Sequence, residues 1–353
     1  MDQDGRRKLV ISFTSYPERI RFVPDVLSCL LAQSRHADRI VLYLSEDQFP
    51  RRLQDLPDAL RNAEAQDLLL IRWVAGDLKP HKKYYYAFQE YPDDVVVTVD
   101  DDVLYAPDLL ENLWQAHLQY PKTVVAGRTH LITLDRNGSP GPYSQWVHCT
   151  SGFEAGPSMQ LFAVGLGGVL YEPGWFPPEL LLEDSIRSLC LEADDLWLKA
   201  MELAAGIPVV RMSGPELIRL VPGSQENALY LSNQNRNRND LYLSGIRAWF
   251  AEQYGKDVFK EQLNNPAWPR LADFSSLYDY LNQDKRRMLI GVNAAYDAVN
   301  AAYRRKVDQL ALSEKRASDL EYIIQELRNS LSYRLGNRII TPFSRLRSKL
   351  VRK

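Results

Sequence analysis

Residues 95 to 99 read Val-Val-Val-Thr-Val and run without a break into three consecutive carboxylates, Asp100, Asp101 and Asp102. A strand with one face in water would alternate polar and apolar residues, so an unbroken run of this kind predicts a strand covered on both faces, as in the middle of a parallel sheet. The flanking sequence agrees. Short Val- and Ile-rich runs at 8–16, 38–45, 68–74, 94–99 and 123–134 read as strands. Between them, 22–34, 81–90 and 107–120 read as helices, the last opening with Pro107, Asp108 and Glu111 as a helix start should. Strands taking turns with helices predict an α/β fold with a mostly parallel sheet flanked by helices.

Downstream, 136–193 is rich in turn residues, and "DDLWLKAMELAAG" predicts a helix closed by Gly206 and followed by the strand "IPVVRM". Beyond 245 no strand is predicted. A loose heptad from Val299 through Leu331, interrupted by Lys306 and Ser313, predicts a short coiled coil or a packed helix, and a candidate homodimer contact. The last twenty residues carry seven Lys and Arg and no Asp or Glu, interleaved with Leu335, Ile339, Ile340, Phe343, Leu346 and Leu350. Such a segment suits an anionic membrane surface, and equally a solvated tail. The expected organisation is a catalytic domain over 1–245, a helical extension over 246–333 and a basic amphipathic tail over 334–353.

Composition narrows the function. A net charge of -2 gives no case for nucleic acid, and three cysteines far apart fit neither a disulfide framework nor a zinc site. The N-terminus has no apolar core of signal-peptide length and no eighteen apolar residues run together, which predicts a cytoplasmic protein, at most peripheral on the inner membrane face.

Three like charges at a strand end repel one another unless a cation neutralises them, and the carboxyl ends of parallel strands are where ligands bind. A hard divalent ion meets that need with one or two protein carboxylates and substrate phosphates. A solvated acidic turn is the plainer explanation. Two further features weigh against it. Asp194 and Asp195 open the predicted helix at 194–205, where a single carboxylate would suffice for capping, so the second is a candidate general base. Lys79, Lys82 and Lys83 precede the acidic strand and could meet a diphosphate.

The segments "ISFTSYPERI", "KPHKKYYYAF", "VTVDDDVLY", "GLGGVLYEP" and "EADDLWLKA", in that order over about 8–240, resemble bacterial nucleotide-sugar glycosyltransferases of the glycosyltransferase-A fold that build capsular, exopolysaccharide or O-antigen chains. The resemblance implies a Rossmann-like, metal-dependent enzyme moving a sugar from a nucleoside-diphosphate donor to a glycan or lipid-linked acceptor, with inversion, and Mn²⁺ or Mg²⁺ as cofactor. It implies Thr14, Tyr16, Arg19 and Glu46 at the nucleotide, Lys79 or Lys83 at the diphosphate, and Asp100 and Asp101 at the ribose and donor sugar. Asp102 with Asp100 would hold the metal, Gly167 and Gly168 would bring backbone close to donor and acceptor, and Asp195, beside Asp194, would be the base. Trp146 and Trp175 are candidate acceptor contacts, whereas Trp197 reads as core; His148 is a candidate third metal ligand, though a lone His is more often structural. The alternatives are a haloacid-dehalogenase-type phosphohydrolase, which also ends an apolar strand in Asp-x-Asp but near the start of its chain, and a non-catalytic carbohydrate-binding or scaffold protein.

Overall fold

In the computed structural model the described residues are 7–148, 156–213, 218–224 and 238–268. Chain order runs β1 (Leu9–Thr14), α1 (Val23–Leu31), β2 (Arg39–Ser45), α2 (Asp58–Ala65), β3 (Leu70–Val74), α3 (Lys82–Glu90), β4 (Val95–Thr98) and α4 (Leu109–Gln119). There follow β5 (Val124–Ala126), β6 (Thr129–Leu131), β7 (Leu161–Ala163), β8 (Val169–Tyr171), α5 (Glu183–Leu189), α6 (Asp194–Ala205), β9 (Val209–Arg211), α7 (Arg238–Tyr254) and α8 (Val258–Leu263). Seven strands form one sheet in the order β3-β2-β1-β4-β8-β5-β9, with β6 and β7 paired separately. Among the described residues only β8 runs antiparallel to its neighbours β4 and β5; the other pairings in the large sheet are parallel.

The expected mostly parallel α/β sheet is therefore the architecture of the chain, and the valine run shows why. Side chains of a strand point alternately to opposite faces. Val96 joins the core under α3 and α6, whereas Val95, Val97 and Val99 join the core under α1, α2 and α4. All four valines are at most 1% exposed, each contributing roughly 1.5–3 kcal/mol through burial. The predicted strand at 123–134 divides into β5 and β6, which belong to different sheets. The turn-rich region also holds β7 and β8, each three residues long.

Two strands leave the sheet in opposite directions from its centre: β1 leads outward to β2 and β3, while β4 lies on its other side. Their carboxyl ends, Thr14 and the residues after Thr98, flank the point where the winding reverses, which is where such folds leave a crevice.

The boundary expected at 245 falls inside α7, whose Leu243, Ile246 and Phe250 share a core with Trp197 of α6 and Phe259 of α8. The heptad segment and the basic tail lie outside the described residues, as does Cys149. No described helix is long and apolar enough to cross a membrane.

Candidate active site

Four segments distant in sequence meet at the β1–β4 crevice. The first follows β1. A turn closed by the Arg19 and Ile20 amides on the Tyr16 carbonyl, both 2.9 Å, returns the chain so that Arg19 faces the end of β4. The Arg19 guanidinium reaches Asp101 Oδ1 and Asp102 Oδ2, each at 3.0 Å, and lies over the Tyr16 ring at 5.7 Å. Ser15 Oγ donates to the other oxygen of Asp101 at 2.5 Å. Burial pushes the Asp101 carboxyl up despite these partners.

The second segment is α3. Ser12 Oγ, in β1, donates to the Lys83 carbonyl and ties the first helical turn to the sheet. The Lys83 ammonium, its side chain 5% exposed, bridges Asp100 Oδ1 at 2.8 Å and Asp194 Oδ2 at 2.9 Å. Burial alone would depress it, but Asp100, Asp194 and Asp195 hold its proton affinity well above that of an ordinary lysine. A cation at a helix N-terminus opposes the macrodipole, so these carboxylates are what keep it there.

Asp194 and Asp195, at the start of α6, form the third. The cap position is Ala193, without a side-chain cap bond, and Asp195 instead accepts the Gly165 amide at 3.2 and 3.1 Å. Burial raises both acids; for Asp194 the Lys83 ammonium overrides it and holds the carboxyl below the usual range. For Asp195, burial and the neighbouring Asp194 charge win, and its carboxyl lies well above the usual range. Two adjacent carboxyls are thus pushed apart, as in acid–base sites.

The fourth is the glycine segment. A Cβ on Gly165 would stand 2.7 Å from Lys83 Nζ and 3.1 Å from Asp195 Oδ1, so only glycine fits there with the charge cluster intact. Gly167 packs on the Arg128 backbone, where a Cβ would meet the amide nitrogen at 2.4 Å, and Gly168 turns the chain into β8 with φ of +77°. The glycine touching the charge cluster is thus Gly165, which the sequence motif did not single out.

Among the described residues these ion pairs set Arg19 and Lys83 against the carboxylates of Asp100, Asp101, Asp102 and Asp194. Asp100 is the open member, with 27% of its side chain exposed against 5% for Asp102. Among the described residues no group of three or more His, Cys, Asp or Glu could hold a metal ion by itself. This donor set fits a hard divalent ion that needs one or two protein carboxylates and takes the rest of its shell from water or a phosphate.

Other expected site residues have partners of their own. Thr14 Oγ1 donates to the Tyr43 carbonyl at 2.7 Å, joining β1 to β2. Glu46 pairs with Arg52 at 2.7 Å and Lys79 with Asp77 at 3.2 Å. His148 packs on His130, ring centroids 4.4 Å apart. The acceptor roles expected for Trp146 and Trp175 need correcting. Trp146 is 1% exposed, donates to the Gly141 carbonyl at 2.9 Å and has no ring face open to a sugar. Because β8 runs against β4, with Thr98 beside Val169 and Val96 beside Tyr171, the chain emerges at the opposite edge of the sheet from Asp100. Trp175 follows there, lining a cavity of about 320 Å³ with His117, Lys122 and Glu172. Trp197 is core, fully buried, with Nε1 donating to the Leu180 carbonyl at 2.9 Å.

No family model matches the chain, and neither does any curated protein. Its fold is similar to several solved structures. Residues 1–349 of TarS from S. aureus, in complex with UDP, are 13% identical over 72% of this chain and 69% of that one, with a TM-score of 0.41. The mannosyltransferase PcManGT from Pyrobaculum calidifontis, in complex with GDP-Man and Mn²⁺, is 17% identical over 93% and 88%, with a TM-score of 0.43. A 4-diphosphocytidyl-2C-methyl-D-erythritol synthase is 11% identical over 65% and 99%, with a TM-score of 0.38.

Proposed function

We propose that this chain is a glycosyltransferase that moves a sugar from a nucleoside-diphosphate donor to a hydroxyl of a glycan or lipid-linked acceptor, with inversion, in the synthesis of a surface polysaccharide. The observation that carries this reading is the convergence of Arg19, Lys83, Asp100–Asp102 and Asp194–Asp195 on one crevice, through direct ion pairs between segments 17 to 111 residues apart. A structural acidic turn would need no such partners.

Each group then has a task. Asp100 and Asp102 would hold a divalent ion, which when bound offsets the charge of the diphosphate leaving group. Arg19 and Ser15 fix Asp101 and Asp102 in place, so the carboxylates are preorganised for the donor. Lys83 stays protonated and spans the donor side at Asp100 and the base side at Asp194. Asp195, oriented by the Gly165 amide, takes the proton of the acceptor hydroxyl. The hydroxyl oxygen bonds to the anomeric carbon as the bond from that carbon to the diphosphate oxygen breaks on the opposite face, which inverts the centre.

Asp102→Ala and Asp195→Ala, compared with wild type for transfer from a panel of nucleotide sugars, test this assignment. Both should lose transfer by a factor of about 10² or more. Undiminished transfer in either variant rejects the mechanism.

A further inference from the structure

Tyr105, in the bend after the acidic triplet, is 6% exposed and has its ring in the core that also holds Val103 and Leu109. Its hydroxyl does two things at once. It accepts the Asp100 amide at 2.8 Å and donates to the Leu166 carbonyl at 3.3 Å. Leu166 directly follows Gly165, whose amide holds Asp195. The donor side and the base side of the crevice are therefore joined twice, by the Lys83 ammonium and by the Tyr105 phenol.

The two links differ mechanically. Lysine is a long, flexible side chain that follows its partners as they move, whereas a ring held by packing has little freedom. We propose that Tyr105 is a positioning residue whose hydroxyl sets the separation between Asp100 and the Gly165–Asp195 pair. This rests on the reading of Asp195 as the base. Reactions between groups held in place are sensitive to displacement, with about 1 Å of error costing on the order of 10²-fold. Tyr105→Phe keeps the ring and removes both hydrogen bonds, leaving the half-buried Asp100 amide and Leu166 carbonyl without this partner.

Three measurements on full-length Tyr105→Phe test the proposal. Hydrogen exchange, followed in peptides spanning Asp100 and Leu166, should rise in both together; a rise in neither, or at Asp100 alone, overturns the link. Steady-state kinetics should show kcat down about tenfold or more with the donor KM within about twofold. An unchanged kcat, even with a lowered melting temperature, means a structural role only and overturns the proposal. In an Asp195→Asn background the same change should cost no further residual turnover, because its effect runs through the base; an additive loss overturns it. Exchange needs no turnover, so a wild-type protein that transfers no sugar rejects the transferase reading separately, and the positioning role with it.

Discussion

A carboxyl group accepts protons usefully near neutral pH only where its surroundings raise its proton affinity, and Asp195 has two such causes, burial and the charge of Asp194. Because Asp195 must be ionised to act, transfer should rise with pH on an acid limb set by this group, above the usual carboxylate range. Asp194→Asn removes one negative neighbour and releases Lys83 towards the remaining carboxylates, and both changes lower the proton affinity of Asp195. The acid limb of kcat/KM should therefore move to lower pH, and a pH–rate profile checks it. The glycines give a second residue-level contrast. In Gly165→Ala the new methyl meets the Lys83 ammonium and Asp195 Oδ1, so the variant should lose the Lys83–Asp100 contact and activity, and disturbing that buried ion pair should cost on the order of 3 kcal/mol of stability. In Gly167→Ala it meets backbone, which should cost about 1–3 kcal/mol in urea unfolding. The aspartates and Lys83 were legible in the sequence because three carboxylates end an apolar strand, a second Asp beside Asp194 is surplus to capping, and lysines precede the acidic strand; Arg19 entered only through the family resemblance. Gly165, Ser15 and Tyr105 were not, since their importance comes from what packs against them and not from their own type.

At the scale of elements, α3 starts with two lysines against its own dipole, and the residue before it explains how that turn is held. His81 is fully buried. The Cys190 carbonyl can only accept, so Nε2–H donates to it at 2.9 Å, and Nδ1 accepts the Tyr84 hydroxyl at 2.9 Å. Burial lowers the His81 pKa from 6.5 to about 4, against the Asp194 charge and the Cys190 hydrogen bond, which raise it. The unfolded chain takes up this proton below pH 6.5 and the folded chain only near 4, so His81 contributes stability that is complete above pH 6.5 and lost progressively as pH falls from 6.5 through 4. The loss amounts to about 3 kcal/mol. Urea midpoints at pH 7 and pH 4.5 should show it, and His81→Gln should flatten this component. The long Val- and Ile-rich strands and the helices at 82–90, 109–119 and 194–205 were readable from periodicity and end signals. β7 and β8 were not, because three residues between glycines and prolines hold too little of a two-residue period to register. The helix α2 escaped for a similar reason: eight residues with only Leu60 and Ala63 buried give a faint apolar stripe.

For the whole molecule, what organises the site is topology. The order β3-β2-β1-β4 makes the carboxyl ends of β1 and β4 neighbours, and the reversed β8 returns the glycine segment to the same edge. Residue chemistry alone cannot read that edge. Trp146 and Trp175 were of the right type for a sugar contact, yet one is sealed in the core and the other emerges at the far edge of the sheet. The aspartates were better placed for inference because the strand that delivers them could be recognised. The carboxylates gathered in the crevice, of which Asp100, Asp101, Asp102 and Asp194 are paired with Arg19 and Lys83, also make a collective prediction: a nucleoside diphosphate should bind there well only together with a divalent ion. The most direct test is a thermal-shift titration of the full chain with nucleoside diphosphates and nucleotide sugars, with and without Mn²⁺, repeated on Asp102→Asn. Binding to the native state raises its apparent stability, by about 2.7 kcal/mol at a hundredfold excess over Kd. Mn²⁺-dependent stabilisation by at least one nucleotide, and its loss in Asp102→Asn, are the expected results; no stabilisation by any of them, or the same stabilisation in Asp102→Asn, would rule out a metal-dependent donor site at the β1–β4 crevice.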